Sequence, residues 1–210
     1  IFPVREVGIP IQIKNTNQPE KRGTMIRETA ADGAREHLIT GIAGKRDFLA
    51  VHVQKAHMSS KVGIVRRALT VFEDYGVSVE HIPTGVDSFG IVVNGADVQD
   101  SIYSIVHDLQ KELKPDSINV VDRLALISVV GRNMSRRAGT SGRVFGVLGE
   151  AGINIRMITQ SSQEISIILG VNNADFERAI TCIYDKFVAG EMVEIPQQGE
   201  GQPTGARRAT

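Results

Sequence analysis

Apolar positions along this chain follow two periods, and the same succession of periods occurs twice. Residues 48–53 alternate apolar and polar, as a half-buried strand does. Val62, Val65, Ala68, Leu69 and Phe72 then recur at helical spacing, with Ser59 or Ser60 placed to cap that helix and Gly76 placed to end it. Residues 77–82 and 89–93 predict a second and a third strand, separated by a turn at 83–87. A helix over 97–113 carries Ile102, Ile105, Val106 and Leu109 on one face and stops before Pro115; residues 118–121 close the unit with a weaker strand.

An offset of 76 residues carries Phe48 onto Leu124, Val53 onto Val129, Met58 onto Met134, Gly63 onto Gly139, Gly76 onto Gly152, Ile82 onto Ile158 and Ile91 onto Ile167. No gap is needed until a two-residue insertion aligns Ala96-Asp97-Val98 with Ala174-Asp175-Phe176. Chance identities would not preserve the apolar period and the turn glycines together, so the pattern predicts an internal duplication. The second copy runs through 124–131, 139–150, 153–159, 165–169 and 174–187. The βαββαβ order predicts an α+β protein of two tandem ferredoxin-like units, each with two helices on one face of a four-stranded antiparallel sheet. Ahead of the repeats, 9–13 reads as a short strand, 15–23 as a polar turn and 38–43 as a further strand; 197–210 has the composition of a disordered tail.

Charge narrows the function. Lys plus Arg and Asp plus Glu number 24 each, so there is no basic field to attract nucleic acid, and no apolar stretch reaches membrane-spanning length. The single cysteine, Cys182, has no internal disulfide partner, which suits a reducing cytoplasm. The first six residues lack a basic-then-apolar leader pattern, and Ile1 opens in mid-pattern, which leads us to expect a fragment of a longer polypeptide.

Three candidate motifs carry little. The run Gly41-Ile42-Ala43-Gly44-Lys45 has a phosphate-loop flavour, but Ile39 and Arg46 stand where that loop needs glycine and a hydroxyl. Histidines 37, 52, 57, 81 and 107 show no metal-ligand spacing, so no metal is expected. Asn133-Met134-Ser135 is a glycosylation sequon by letters, without meaning in a cytoplasmic protein. The loop 58–63 is different. It joins the first strand to the first helix, so unpaired N–H groups at the helix start can receive an α-carboxylate, and Gly63 permits close approach. The equivalent loop 134–139 holds Arg136 and Arg137, and either loop is a candidate.

Near the start, Pro3-Val4-Arg5-Glu6, then Ile9-Pro10-Ile11-Gln12-Ile13-Lys14-Asn15-Thr16, then Gly23-Thr24-Met25-Ile26 resemble the end of the aspartokinase catalytic domain. That family continues from this string into two ACT domains, as the duplication does here, and the resemblance extends to about residue 195. It implies a division into 1–30 (the end of the catalytic domain), 31–123 (first ACT domain with a linker strand), 124–195 (second ACT domain) and 196–210 (tail). It also implies a parent enzyme that phosphorylates the β-carboxylate of L-aspartate with ATP and magnesium, the first step toward lysine, threonine and methionine. The family's catalytic motifs lie upstream of the string matched here, so no catalytic residue and no cofactor are assigned within this chain.

The resemblance further implies an allosteric effector site in the first copy. Met58, Ser60, Lys61, Val62 and Gly63 match the family's effector loop, Val79 and Glu80 its second strand, and Thr84 and Gly85 the following turn. Glu80 would pair with a ligand ammonium, which favours L-lysine; L-threonine is the alternative effector. A homodimer through the ACT sheets and contact with the parent's own catalytic domain are the partners implied. A stand-alone regulatory subunit is the competing reading.

Overall fold

The computed structural model describes residues 2–26, 38–131, 134 and 137–189. The tail expected at 197–210, together with His37, Asn133, Ser135 and Arg136, lies outside the described residues. The chain divides into two compact units, Ile1–Glu36 and His37–Thr210.

In the first unit a four-residue helix, α1 (Phe2–Arg5), precedes β1 (Ile11–Ile13), which pairs antiparallel with β2 (Thr24–Ile26) in the register Ile11 to Ile26. The polar stretch between them makes the connection. Gly23 ends it in a left-handed conformation, φ +68°, where any Cβ would collide with the carbonyl oxygen of Ile13.

The second unit is built on one six-stranded antiparallel sheet in the order β4-β5-β3-β6-β8-β7. Its strands are β3 (Gly41–Gln54), β4 (Val79–His81), β5 (Ser88–Asn94), β6 (Ser117–Val130), β7 (Met157–Gln160) and β8 (Ser166–Asn172). Helices α2 (Ile64–Asp74), α3 (Gly95–Val98), α4 (Ile102–Leu113), α5 (Thr140–Glu150) and α6 (Phe176–Tyr184) complete it. The fold is the duplicated ACT-type, ferredoxin-like α+β architecture expected from the repeat.

Two 14-residue strands tie the copies together. The second half of β3 pairs with β5 in copy one, Val51 opposite Ile91, while its first half pairs with the second half of β6, Gly41 opposite Val130 through Lys45 opposite Leu126. Residues 41–45 thus occupy the fourth-strand place of copy two's sheet, although they precede copy one in the sequence. The span 31–123 therefore contains a strand of the second copy's sheet. Both strands bend where they change copies: Asp47 and Arg123 have φ of 67° and 52°, and the ladder shifts register between Lys45 and Phe48. Asn173 holds the first bend. Its amide donates to Asp47 Oδ1 at 2.7 Å, and its carbonyl oxygen accepts from the Asp47 N–H at 3.2 Å.

Each copy has its own core between helices and sheet. In copy one, Ile64, Ala68, Val71 and Phe72 of α2 pack with Ile105 and Leu109 of α4 onto Val51, Val53, Phe89 and Ile91. Copy two sets Val144 and Leu148 of α5, Ala179 and Ile183 of α6, and Phe187 on Ile127, Val129, Ile167 and Leu169. A third cluster of Phe48, Val92 and Leu124 lies on the opposite sheet face, with Ala50, Leu126 and Met157 against it. This face is covered because the sheet curls: its two outer strands meet through His81 Nε2 and Thr159 Oγ1, 2.8 Å apart.

Two expectations change. The helix predicted over 97–113 is broken at Ser101, whose N–H bonds back to Val98, so α3 and α4 are separate. The two-residue insertion also sits earlier than the sequence placed it. Val51 pairs with Ile91 and its equivalent Ile127 pairs with Leu169, not Ile167, while Thr84 and Gln160 still correspond through their partners Phe89 and Ile167. The extra residues therefore lie in the turn before β8. A two-residue slip preserves strand alternation, so periodicity alone could not reveal it.

Candidate functional site

In copy one the loop leaving β3 is fastened at its base. The N–H of Lys55 donates to Asp87 O at 2.9 Å, and that of Ala56 to Asp116 Oδ2 at 2.6 Å. His57 turns the chain through a left-handed φ of 58°, and Met58 buries its side chain in the core as the anchor. Ser60 is committed within the loop, its hydroxyl donating to His57 O at 2.8 Å. Lys61 is exposed and Val62 is 98% exposed, so neither is held by packing. Gly63, φ +75°, enters α2 without a side-chain cap, and a Cβ there would meet nothing closer than 3.9 Å. The start of α2 is thus open to an incoming anion.

Thr84 bridges Phe89, and the N–H of Gly85 donates to Ser88 O at 2.7 Å. The Lys55–Asp87 bond sets this turn at the same end of the sheet as loop 58–63. Val79 and Glu80 lie further along the edge strand. Val79 pairs opposite Val93, four residues from Phe89, roughly 13 Å at strand spacing, and packs into the copy-one core. Glu80 is exposed and turns toward copy two, its Oε1 3.9 Å from Nζ of Lys45, which also sits over the Phe48 ring. The sequence did not point to Lys45 in this role, because the partner lies in the strand half that serves the other copy.

In copy two the same positions form a cleft of about 910 Å³. Met134, Arg137, Ala138 and Gly139 line it, and they correspond to Met58, Lys61, Val62 and Gly63; Gln160 and Ser161 correspond to Thr84 and Gly85. Gly139, φ +82°, starts α5 without a side-chain cap. Thr140 is buried, its hydroxyl donating to Arg137 O at 2.7 Å, and Ser141 donates to Gln160 Oε1 at 3.0 Å, joining helix start to strand end. The enlarged turn adds Ser162 and Glu164 to the wall. Sequence reasoning passed over these turn residues because it placed the insertion downstream.

A groove of about 400 Å³ between α2 and α4 is also charged; in it Arg67 pairs with Glu112 at 3.7 Å, and Asp108 accepts from Tyr75 at 2.7 Å. Burial holds the His81 imidazole below its ordinary pKa. Among the described residues no three His, Cys, Asp or Glu side chains gather as metal ligands, and no helix is long and apolar enough to cross a membrane.

A duplicated βαββαβ module with glycine-started helices beside open turns defines a tandem ACT-type regulatory region, and comparison with known proteins agrees. The ACT domain family model matches residues 127–187. Aspartokinase 3 of Bacillus subtilis is 34% identical over 196 residues, covering 92% of this chain and 42% of that protein. The crystal structure of Clostridium acetobutylicum aspartate kinase aligns with a TM-score of 0.82 at 42% identity, over 89% of this chain and 43% of that one. A chain from the crystal structure of aspartokinase alpha and beta subunits aligns at 0.61 and 27% identity, over 71% of this chain and 98% of that one. The chain is an ACT-domain regulatory region homologous to those of the aspartokinases, and it corresponds to their regulatory portion rather than to the catalytic domain. It spans less than half the length of the Bacillus and Clostridium relatives.

Proposed function

We propose that this chain senses an end-product amino acid and relays its occupancy to a cytoplasmic aspartate kinase, inhibiting it by feedback. The parent would use ATP and magnesium to phosphorylate L-aspartate. We assign L-lysine to copy one, with its α-carboxylate at the uncapped start of α2 and its side-chain ammonium drawn to Glu80; within one chain these features lie further apart than an extended lysine reaches, so the two would come from facing copies across paired β4 edges. Met58, Ser60, Lys61, Val62, Gly63, Thr84 and Gly85 frame that site, and Val79 positions Glu80. One observation carries the choice of lysine: the Glu80 carboxylate already faces an ammonium, Nζ of Lys45, at 3.9 Å in an exposed pair that a ligand can replace. Occupancy would then alter the contact between β4 and the long strand β3 that runs through both copies, a route by which a local event reaches the rest of the region.

A second reading, a regulatory subunit made as its own polypeptide, draws on the near-complete coverage of one chain of the alpha and beta subunit structure. Calorimetric titration with each of the twenty L-amino acids tests the sensing function. Saturable heat with L-lysine is expected; binding of L-threonine without L-lysine would overturn the role given to Glu80.

A further inference from the structure

Besides the two long strands, the copies meet through the sheet face opposite their helices, and little holds them there. Among the described residues only Phe48, Val92 and Leu124 are buried in that face, against a far larger cluster in each helix-side core. Two polar contacts close its rim, and both start from adjacent residues of β4. The ladder to β5 shifts register within that strand: Val79 lies opposite Val93 of the copy-one core, whereas His81 lies opposite Val92 of the shared face. His81 Nε2 meets Thr159 Oγ1 of β7 at 2.8 Å, and Glu80 Oε1 meets Lys45 Nζ at 3.9 Å. Lys45 belongs to the half of β3 that pairs with β6 in copy two, opposite Leu126, so each contact joins copy one's edge strand to copy two's sheet. The same Nζ lies 5.3 Å from the centre of the Phe48 ring, which ties the ion pair to the buried residues of this face.

We propose that Lys45 is a built-in competitor for the effector's ammonium, and that an effector displacing it from Glu80 loosens the contact between the two copies. The proposal rests on the reading of Glu80 as the carboxylate that receives lysine. Nζ of Lys45 and the side-chain ammonium of L-lysine are the same chemical group, so they compete for Glu80 on equal terms. The ligand adds an α-carboxylate with its own contacts, which Lys45 cannot match. Both partners of the Glu80–Lys45 pair are about half exposed, so it has the strength of a surface ion pair and weakens a competing ligand about two- to fivefold. That biases the equilibrium without preventing binding. Once Lys45 is displaced, one of the two rim contacts is gone, and His81 with Thr159 is left to hold β4 to copy two. β4 is only three residues long and its ladder is already irregular, so it has little else to keep it in place. Coupling of this kind is reciprocal: an effector that favours the loosened face binds tighter wherever that face is weakened, including at Thr159 in copy two.

Calorimetry and backbone amide shifts of the ¹⁵N-labelled chain, titrated with L-lysine, test the proposal. Lys45→Met keeps an apolar stem beside Phe48 and removes the cation, and it should bind L-lysine about two- to fivefold tighter than the native chain. Lys45→Arg, which restores a cation, should not show that gain. Thr159→Val should also bind L-lysine tighter, a result that the charge of Lys45 alone would not produce. In the native chain L-lysine should move the amides of Met157 and Thr159 with the same saturation as those of Gly63 and Gly85. In Lys45→Met the copy-two shifts should shrink while those of Gly63 and Gly85 persist. Lysine binding by the native chain with no gain in Lys45→Met or in Thr159→Val, or with Met157 and Thr159 unmoved, would overturn this proposal and leave the lysine assignment standing. No lysine binding by the native chain would remove both.

Discussion

His81 of β4 and Thr159 of β7 join the two outer strands of the sheet, imidazole Nε2 to hydroxyl Oγ1 at 2.8 Å. Burial disfavours the imidazolium, so the folded-state pKa lies below the usual 6.5. The unfolded chain then binds the proton first as pH falls, and folding stability drops as pH descends from about 6.5 toward the folded value. Urea midpoints measured across that interval should decline for the native chain. They should decline less for His81→Gln, which cannot titrate.

The bend at Asp47 predicts a second effect. Asn173 supplies both hydrogen bonds that hold this left-handed residue, so Asn173→Ala should cost about 1–3 kcal/mol of unfolding free energy. Asp47→Gly should cost less than that, because glycine adopts the same φ without strain. Denaturant titrations of the two variants give the comparison.

The outer strands also bear on assembly. Among the described residues β4 pairs with β5 alone, and a sheet edge is a template for a second sheet. Pairing of two such edges in closed two-fold symmetry would place Glu80 beside the subunit contact. Sedimentation of the chain at tens of micromolar should give a dimer, strengthened by L-lysine. A monomer with and without lysine would remove the interface.

Much of this was legible in the sequence because it rests on local rules. Gly76 and Gly152 end helices at positive φ, and the apolar spacing of Ala68 and Phe72 gave the buried face of α2 directly. The start of α2 was misplaced: the cap expected at Ser59 or Ser60 is Gly63, and Val62, expected on the apolar face, lies before the helix and is exposed. The long-range features were not legible. Nothing near Gly41 in sequence reveals that its partner is Val130, and a bend at Asp47 or Arg123 is set by tertiary contacts rather than by turn residues. The copy-two cleft escaped notice for a third reason. A two-residue insertion leaves strand alternation intact, so only the pairing of Ile127 with Leu169 located it in the turn that builds the cleft wall.

The central claim is that copy one reads lysine through Glu80, and calorimetric titration of L-lysine into the native chain and Glu80→Ala tests it most directly. Glu80 is exposed on a short edge strand, so the variant should fold normally. Loss of a charge-assisted hydrogen bond should weaken binding by about 1.5–3 kcal/mol, roughly ten- to a hundredfold in Kd. Undiminished lysine binding by Glu80→Ala, or no lysine binding by the native chain, would contradict the account.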